Sequence, residues 1–198
     1  QEEEIKGYTD VIGEISAERI KSECGGFDVV VGLNVFAHNS AFIDMLKGCV
    51  ILLNPDGKVM IEVAYAPSTI CDGNFDTIYH EHVCSYSLTS LKNALSQAGL
   101  SIFDAELIPT QGGSIRIFAQ HVVGSLEPSE NFLSIMNMEE RLGLSTSAYY
   151  EILGEKIKNK IGPIRELLSE VVRDNQQLLI LGAPARGAVS YTHLRAHE

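Results

Sequence analysis

The chain has 198 residues, 45% of them hydrophobic, enough to bury one core of ordinary domain size or parts of two. Aspartate and glutamate total 26 against 15 lysine and arginine, a net charge of −11 at pH 7, so the field of the molecule repels phosphate polyanions and argues against nucleic acid or an anionic membrane as partner. No apolar run approaches the ~20 residues that cross a bilayer, and Gln1 to Lys6 is acidic where a secretory signal is basic, so a cytoplasmic protein is expected.

Ile12 to Cys24 places Ile12, Ile15, Ile20 and Cys24 near helical spacing, with Gly25-Gly26 as the stop signal. No strand precedes this helix, so a segment upstream is expected. Phe27 to Leu33 (FDVVVGL) is a short β-branched run and predicts a strand buried on both faces of a parallel sheet. Ser40 to Leu53 predicts a serine-capped helix with apolar residues at 42, 43, 46, 49, 50 and 53. Asn54-Pro55-Asp56-Gly57 predicts a turn, and Lys58 to Ala64 (KVMIEVA) the next strand, which completes a βαβ unit with a right-handed crossover. Tyr65 to Val83 has no clear period and reads as a long polar connection, a length at which loops are usually functional or disordered.

Ser87 to Ala98 predicts a helix with Leu88, Leu91 and Leu95 on one face and Gly99 at its end. Leu100 to Ile108 and Ser114 to Gln120 read as a hairpin joined by Pro-Thr-Gln-Gly-Gly. After a polar joint around Gly124 to Glu130, Tyr150, Leu153, Ile157, Ile161, Ile164, Leu168 and Val171 recur at steps of 3, 4, 4, 3, 4 and 3, which predicts a long helix. A strand over Leu178 to Leu181 is expected to run into Gly182-Ala-Pro-Ala-Arg-Gly187 and open a further strand–loop–helix unit. Val189 to Glu198 (VSYTHLRAHE) has no period and matches a translated frame of a transposase-type sequencing adapter, so these residues, with His193 and His197, are set aside. Cys24, Cys49, Cys71 and Cys84 are widely spaced, without C-x-x-C; they predict buried small apolar side chains rather than a disulfide framework or a zinc site.

The densest group of titratable residues is Asp76-Thr-Ile-Tyr79-His80-Glu81-His82, which follows the C-terminal end of the Lys58 to Ala64 strand, where open α/β sheets bind ligands. Asn34-Val35-Phe36-Ala37-His38 follows the neighbouring strand, so both loops face one crevice. A histidine near its ordinary pKa takes a proton at neutral pH, a carboxylate orients and stabilises it, and a tyrosine hydroxyl donates to a developing oxyanion. The same residues serve equally to hydrogen-bond a loop to the sheet. A metal site on His80-Glu81-His82 is disfavoured, because neighbouring side chains alternate in direction and no further ligands cluster nearby.

Asn34 to His38, Leu52-Leu-Asn-Pro-Asp-Gly57 before a strand ending in Glu62-Val63, Phe75 to His82, Tyr86 to Leu91, Gly112-Gly-Ser-Ile-Arg116 and Gly182 to Gly187 together resemble the sugar C-methyltransferases, over most of residues 7 to 188. These are class I S-adenosylmethionine-dependent enzymes that methylate a nucleotide-linked keto-deoxysugar at carbon. The Tyr-His-Glu-His block and its flanks are the specific part; the Leu-Leu-x-Pro-x-Gly strand entry is common to many class I methyltransferases. The resemblance implies His82 as general base, with Tyr79, Glu81 and His38 as active-site companions. It implies Asn34 and Val35 as cofactor contacts. The family's glycine-rich cofactor loop, its ribose-binding acid and its cysteine-rich zinc domain have no counterpart in the chain, so no metal is expected, and the fragment alone is expected to be inactive.

The expected fold is therefore α/β: the second half of a class I methyltransferase, Rossmann-like sheet with a terminal antiparallel hairpin, then a long helix and the truncated start of a second α/β domain. The expected divisions are 1–123 for the partial methyltransferase domain, 124–188 for the helical bridge and the start of the C-terminal domain, and 189–198 for the adapter-like tail. The alternatives are a non-catalytic nucleotide-sugar-binding fragment and a class I methyltransferase for another acceptor; carbon needs a base, whereas a nucleophilic heteroatom needs less help.

Overall fold

The computed structural model of the protein describes residues 6–74, 77–79 and 81–179. Their elements run α1 (Glu14–Cys24), β1 (Phe27–Leu33), a 3-10 turn (Phe36–His38), α2 (Phe42–Leu52), β2 (Leu53–Ala64), α3 (Ala66–Asp72), α4 (Leu88–Ala98), β3 (Leu100–Ile108), β4 (Ser114–His121), α5 (Glu130–Leu142) and α6 (Ser147–Arg173). The strands form a four-stranded sheet in the order β1-β2-β4-β3, with β1 and β2 parallel and β4 antiparallel to both of its neighbours. The parallel pair with an antiparallel hairpin at its side is the α/β arrangement expected from the sequence.

One face of the sheet carries the core. Val59, Ile61 and Val63 of β2 and Ile115, Ile117 and Ala119 of β4 pack with Leu46 and Cys49 of α2, Leu88, Leu91 and Leu95 of α4, and Phe132 and Ile135 of α5. Alternation along the strands puts Lys58, Met60 and Glu62 on the opposite face. There the cross-strand register sets Leu33, Glu62, Arg116 and Glu106 in one row. Ser87 caps α4 by accepting the Ser90 N–H at 3.1 Å, and Gly99 ends it in the left-handed conformation.

The structure departs from the expectations in definite places. β1 is not buried on both faces: Val29, Val31 and Leu33 are 59%, 52% and 49% exposed, because helices cover only one side of this outer strand. Asn54 to Gly57 does not leave the sheet. β2 begins at Leu53, and the register jumps from Phe27↔Leu53 to Val29↔Lys58, so the turn is absorbed as an irregularity inside the strand. α2 starts at Phe42 after an Ala41 that makes no side-chain cap; Asn39, not Ser40, accepts the Ala41 N–H through Oδ1 at 2.8 Å.

The connection after β2 contains a helix, α3, and the polar joint after β4 leads into another, α5, ahead of the long helix α6. The apolar positions of α6 are mostly exposed, and Tyr149 is its buried residue. Of the cysteines, Cys49 is buried, Cys71 and Cys84 are half-buried, and Cys24, last residue of α1, is exposed. Leu178 and Leu179 lie in no strand, and the rest of that expected strand, Gly182 to Gly187 and Val189 to Glu198 lie outside the described residues.

Candidate active site

Two loops at the C-terminal ends of β1 and β2 build the site. β1 is followed by Asn34, which takes a left-handed φ of 54° and donates its N–H to the Glu62 carbonyl at 2.8 Å. The chain then turns through Phe36–His38. Gly32 makes room for that turn: a Cβ there would stand 2.4 Å from Cε2 of Phe36. The Tyr86 hydroxyl holds the Phe36 carbonyl at 3.2 Å, and the Val83 N–H donates to the Ala37 carbonyl at 2.9 Å, which fastens the second loop to the first.

The second loop leaves β2 through α3, whose C-terminal carbonyls are held from α6. Lys156 Nζ donates to the Cys71 carbonyl, and Lys160 Nζ to those of Asp72 and Gly73 at 2.7 and 3.1 Å. Cations at a helix C-terminus satisfy its unpaired carbonyls and its dipole. Buried Thr77 follows, its hydroxyl donating to the Asn74 carbonyl at 2.8 Å.

The Thr77 carbonyl lies 2.9 Å from Nδ1 of His82. A carbonyl only accepts, so Nδ1 carries the hydrogen and Nε2 of the neutral ring presents its lone pair. The Tyr79 hydroxyl donates to that Nε2 at 3.0 Å. His38 stands beside this pair, its ring centroid 5.0 Å from that of His82, and its Nδ1 is 3.0 Å from the Glu81 carbonyl, which fixes its tautomer in the same way. Glu81 is exposed and reaches His38 through its backbone; its carboxylate takes no part in that contact. The structure thus brings Tyr79, Glu81, His82 and His38 together and sets Asn34 and half-exposed Val35 at the end of β1. His80 and Asp76 lie outside the described residues. Among the described residues, no group of three or more His, Cys, Asp or Glu side chains is placed to hold a metal ion.

The sequence reading gave no role to a set of charged residues beside Asn34. Glu62, 6% exposed, accepts from Arg116 Nε at 3.1 Å and Nη2 at 2.9 Å on one carboxylate oxygen. Its other oxygen is 3.4 Å from both Asn34 Nδ2 and Thr110 Oγ1. Arg116 Nη1 reaches Glu106 at 2.8 Å. The available signal was a charge of opposite sign inside each of two otherwise apolar strands, KVMIEVA and SIRIFAQ.

Residues 109–197 match the family described as the C-methyltransferase C-terminal domain. C-methyltransferase NovU of Streptomyces niveus is 31% identical over 182 residues, which cover 92% of this chain and 42% of that protein. The chain therefore spans less than half the length of that relative. The solved structures similar to it include magnesium protoporphyrin IX methyltransferase (ChlM) from Synechocystis PCC 6803, with 16% identity, a TM-score of 0.37, and coverage of 48% of this chain and 44% of that one. They also include 1,6-didemethyltoxoflavin-N1-methyltransferase from Burkholderia thailandensis, with 18% identity, a TM-score of 0.39, and coverage of 48% and 44%. The C-terminal part of the chain is thus similar to a C-methyltransferase domain, and most of its length to part of a C-methyltransferase.

Proposed function

We propose that the chain supplies the proton-abstracting part of a C-methyltransferase that acts on a nucleotide-linked keto-deoxysugar at the carbon next to its ketone. The observation that carries this reading is the His82 ring, held in one tautomer by the Thr77 carbonyl with its basic nitrogen against the Tyr79 hydroxyl. Methylation at carbon needs such a base, because a C–H bond carries no lone pair. The choice of sugar rests on the resemblance of the Tyr79-His80-Glu81-His82 block and its flanks.

S-adenosylmethionine, when bound, supplies an electrophilic methyl group. Asn34 and Val35 offer a carboxamide and a half-exposed apolar side chain at the C-terminal end of a parallel strand. That chemistry fits one wall of a nucleoside-bearing ligand.

Nε2 of His82 takes the proton from the sugar carbon. The imidazolium then keeps its Nδ1–H on the Thr77 carbonyl. Nε2 has a single lone pair, so the Tyr79 hydroxyl turns from it to the ketone oxygen of the bound sugar before the proton is taken. From there the tyrosine hydroxyl donates to the enolate oxygen as it forms.

The reading is tested with the enzyme that contains this chain, in D2O, with S-adenosylhomocysteine and a nucleoside-diphosphate keto-deoxysugar. The hydrogen next to the ketone should exchange with solvent, and His82→Asn should abolish that exchange. Exchange that continues in a folded His82→Asn variant removes His82 as the base.

A further inference from the structure

We infer that Glu62 is a positioning residue of the site: it orients the Asn34 carboxamide so that the oxygen, not the nitrogen, is offered to the ligand. The inference rests on the reading of Asn34 as a cofactor contact and adds to it the chemistry of that contact.

Glu62 lies on β2, paired in register with Leu33 on one side and Arg116 on the other, one residue's length from the turn at Asn34. Its carboxylate is divided in use. One oxygen takes both the Nε and the Nη2 of Arg116, at 3.1 and 2.9 Å. That geometry fixes the direction of the other oxygen. The second oxygen lies 3.4 Å from Asn34 Nδ2. A carboxylate only accepts, so the end of Asn34 turned towards it is the amide nitrogen. Oδ1 is therefore the end turned away, and it has no protein partner among the described residues. The Glu62 carbonyl adds a second hold by accepting the Asn34 N–H at 2.8 Å, so one residue sets both the backbone turn and the side-chain orientation.

Stability does not account for this arrangement. β2 and β4 are already held in register by Ile61↔Ile117 and Val63↔Ile115, which are fully buried. Replacing a buried ion pair with apolar residues is often neutral or stabilising. An acid at 6% exposure, at the ligand end of the sheet and against a residue in left-handed backbone, is explained by what it orients. The ligand group that Asn34 Oδ1 recognises is then a hydrogen-bond donor: an amine, an ammonium or a hydroxyl.

The test is a double-mutant cycle on the enzyme that contains this chain, read by calorimetric binding of S-adenosylhomocysteine, with thermal melting as the control for folding. Asn34→Ala should weaken binding about tenfold, the loss of one hydrogen bond to a polar ligand group. Glu62→Gln, which can itself donate and so lets the amide reverse, should weaken binding comparably, and the double variant should be no weaker than Asn34→Ala alone. If Asn34→Ala binds like the unaltered enzyme, the cofactor role of Asn34 falls and this inference with it. If Asn34→Ala weakens binding but Glu62→Gln, folded, does not, or if the two effects add, the positioning role alone is overturned. Should Glu62→Gln not fold, Arg116→Lys, which removes the two-nitrogen contact and keeps the charge, replaces it in the cycle with the same expectation and the same overturning results.

Discussion

The Tyr79 hydroxyl donates to Nε2 of His82 at 3.0 Å, on the far side of the ring from the nitrogen that the Thr77 carbonyl holds. The two contacts join hydroxyl and imidazole in a single unit, which under the proposed function serves as oxyanion donor and base. Tyr79→Phe should therefore lower turnover by about 10²–10³, the usual cost of one oxyanion donor, while leaving binding of S-adenosylhomocysteine unchanged. His82→Asn should lower it by ~10²–10⁴. Because the two act together, the double variant should fall well short of the product of the single effects. Steady-state rates of the three variants check this.

Gly32→Ala tests the seat of the first loop. The new Cβ would stand 2.4 Å from Phe36 Cε2, and Phe36 is 2% exposed with its ring edge-on to Phe42 at 5.6 Å, so it has little room to move. Overpacking of this kind costs about 1–3 kcal/mol. Because Phe36 opens the turn that carries His38, activity should fall together with stability. Gly32→Ala/Phe36→Leu should recover part of both, as measured by denaturant midpoint and turnover.

Glu139 of α5 is 1% exposed and takes the Leu88 N–H at 2.6 Å, the Tyr65 hydroxyl at 2.9 Å, the Thr89 N–H at 2.8 Å and the Thr89 hydroxyl at 2.6 Å. It is the anion at the N-terminus of α4. Glu139→Ala strands buried donors and should cost ~3 kcal/mol or more. Glu139→Gln should cost less than alanine, since it keeps the shape and one acceptor. Chemical denaturation of the three proteins ranks them.

Cys49 gives a pH dependence. Burial pushes its thiol up from 9.0 to about 11. The unfolded chain ionises first, so the folded state binds the extra proton between those values and stability falls as pH rises from about 9 to about 11. The contribution disappears in Cys49→Ala, whose midpoint should fall less over that range. Thiol labelling at neutral pH should modify exposed Cys24 well before Cys49.

What was legible in the sequence was whatever local pattern decides. α4 shows its cap, its Leu88-Leu91-Leu95 face and its glycine stop within one stretch, and the structure has all three. α5 was hidden because its inward face reads Phe132, Ile135, Glu139: the third position is a carboxylate whose partners lie on α4 and at Tyr65, far away in the chain. α3 was hidden because APSTICD has no apolar period, and its C-terminal carbonyls are held by lysines of α6. The exposure of β1 was hidden because a β-branched run shows that a strand forms and leaves open how many of its faces are covered. In the candidate site, the titratable cluster stood out by composition. The Thr77 carbonyl that selects the tautomer, and the Glu62 carboxylate that turns Asn34, are not visible in a pattern of residue types.

The lysines of α6 bear on how the protein matures. Lys160 reaches the carbonyls of Asp72 and Gly73 across 88 and 87 residues of chain, and Lys156 reaches Cys71 across 85. During synthesis from the N-terminus, β1, β2 and the core under them emerge well before these partners do. The loop carrying Thr77, Tyr79 and His82 thus acquires its anchor only after the long helix has been made and has docked. A nascent chain stopped short of residue 156 would hold the scaffold of the site without the fastening of the loop that carries His82.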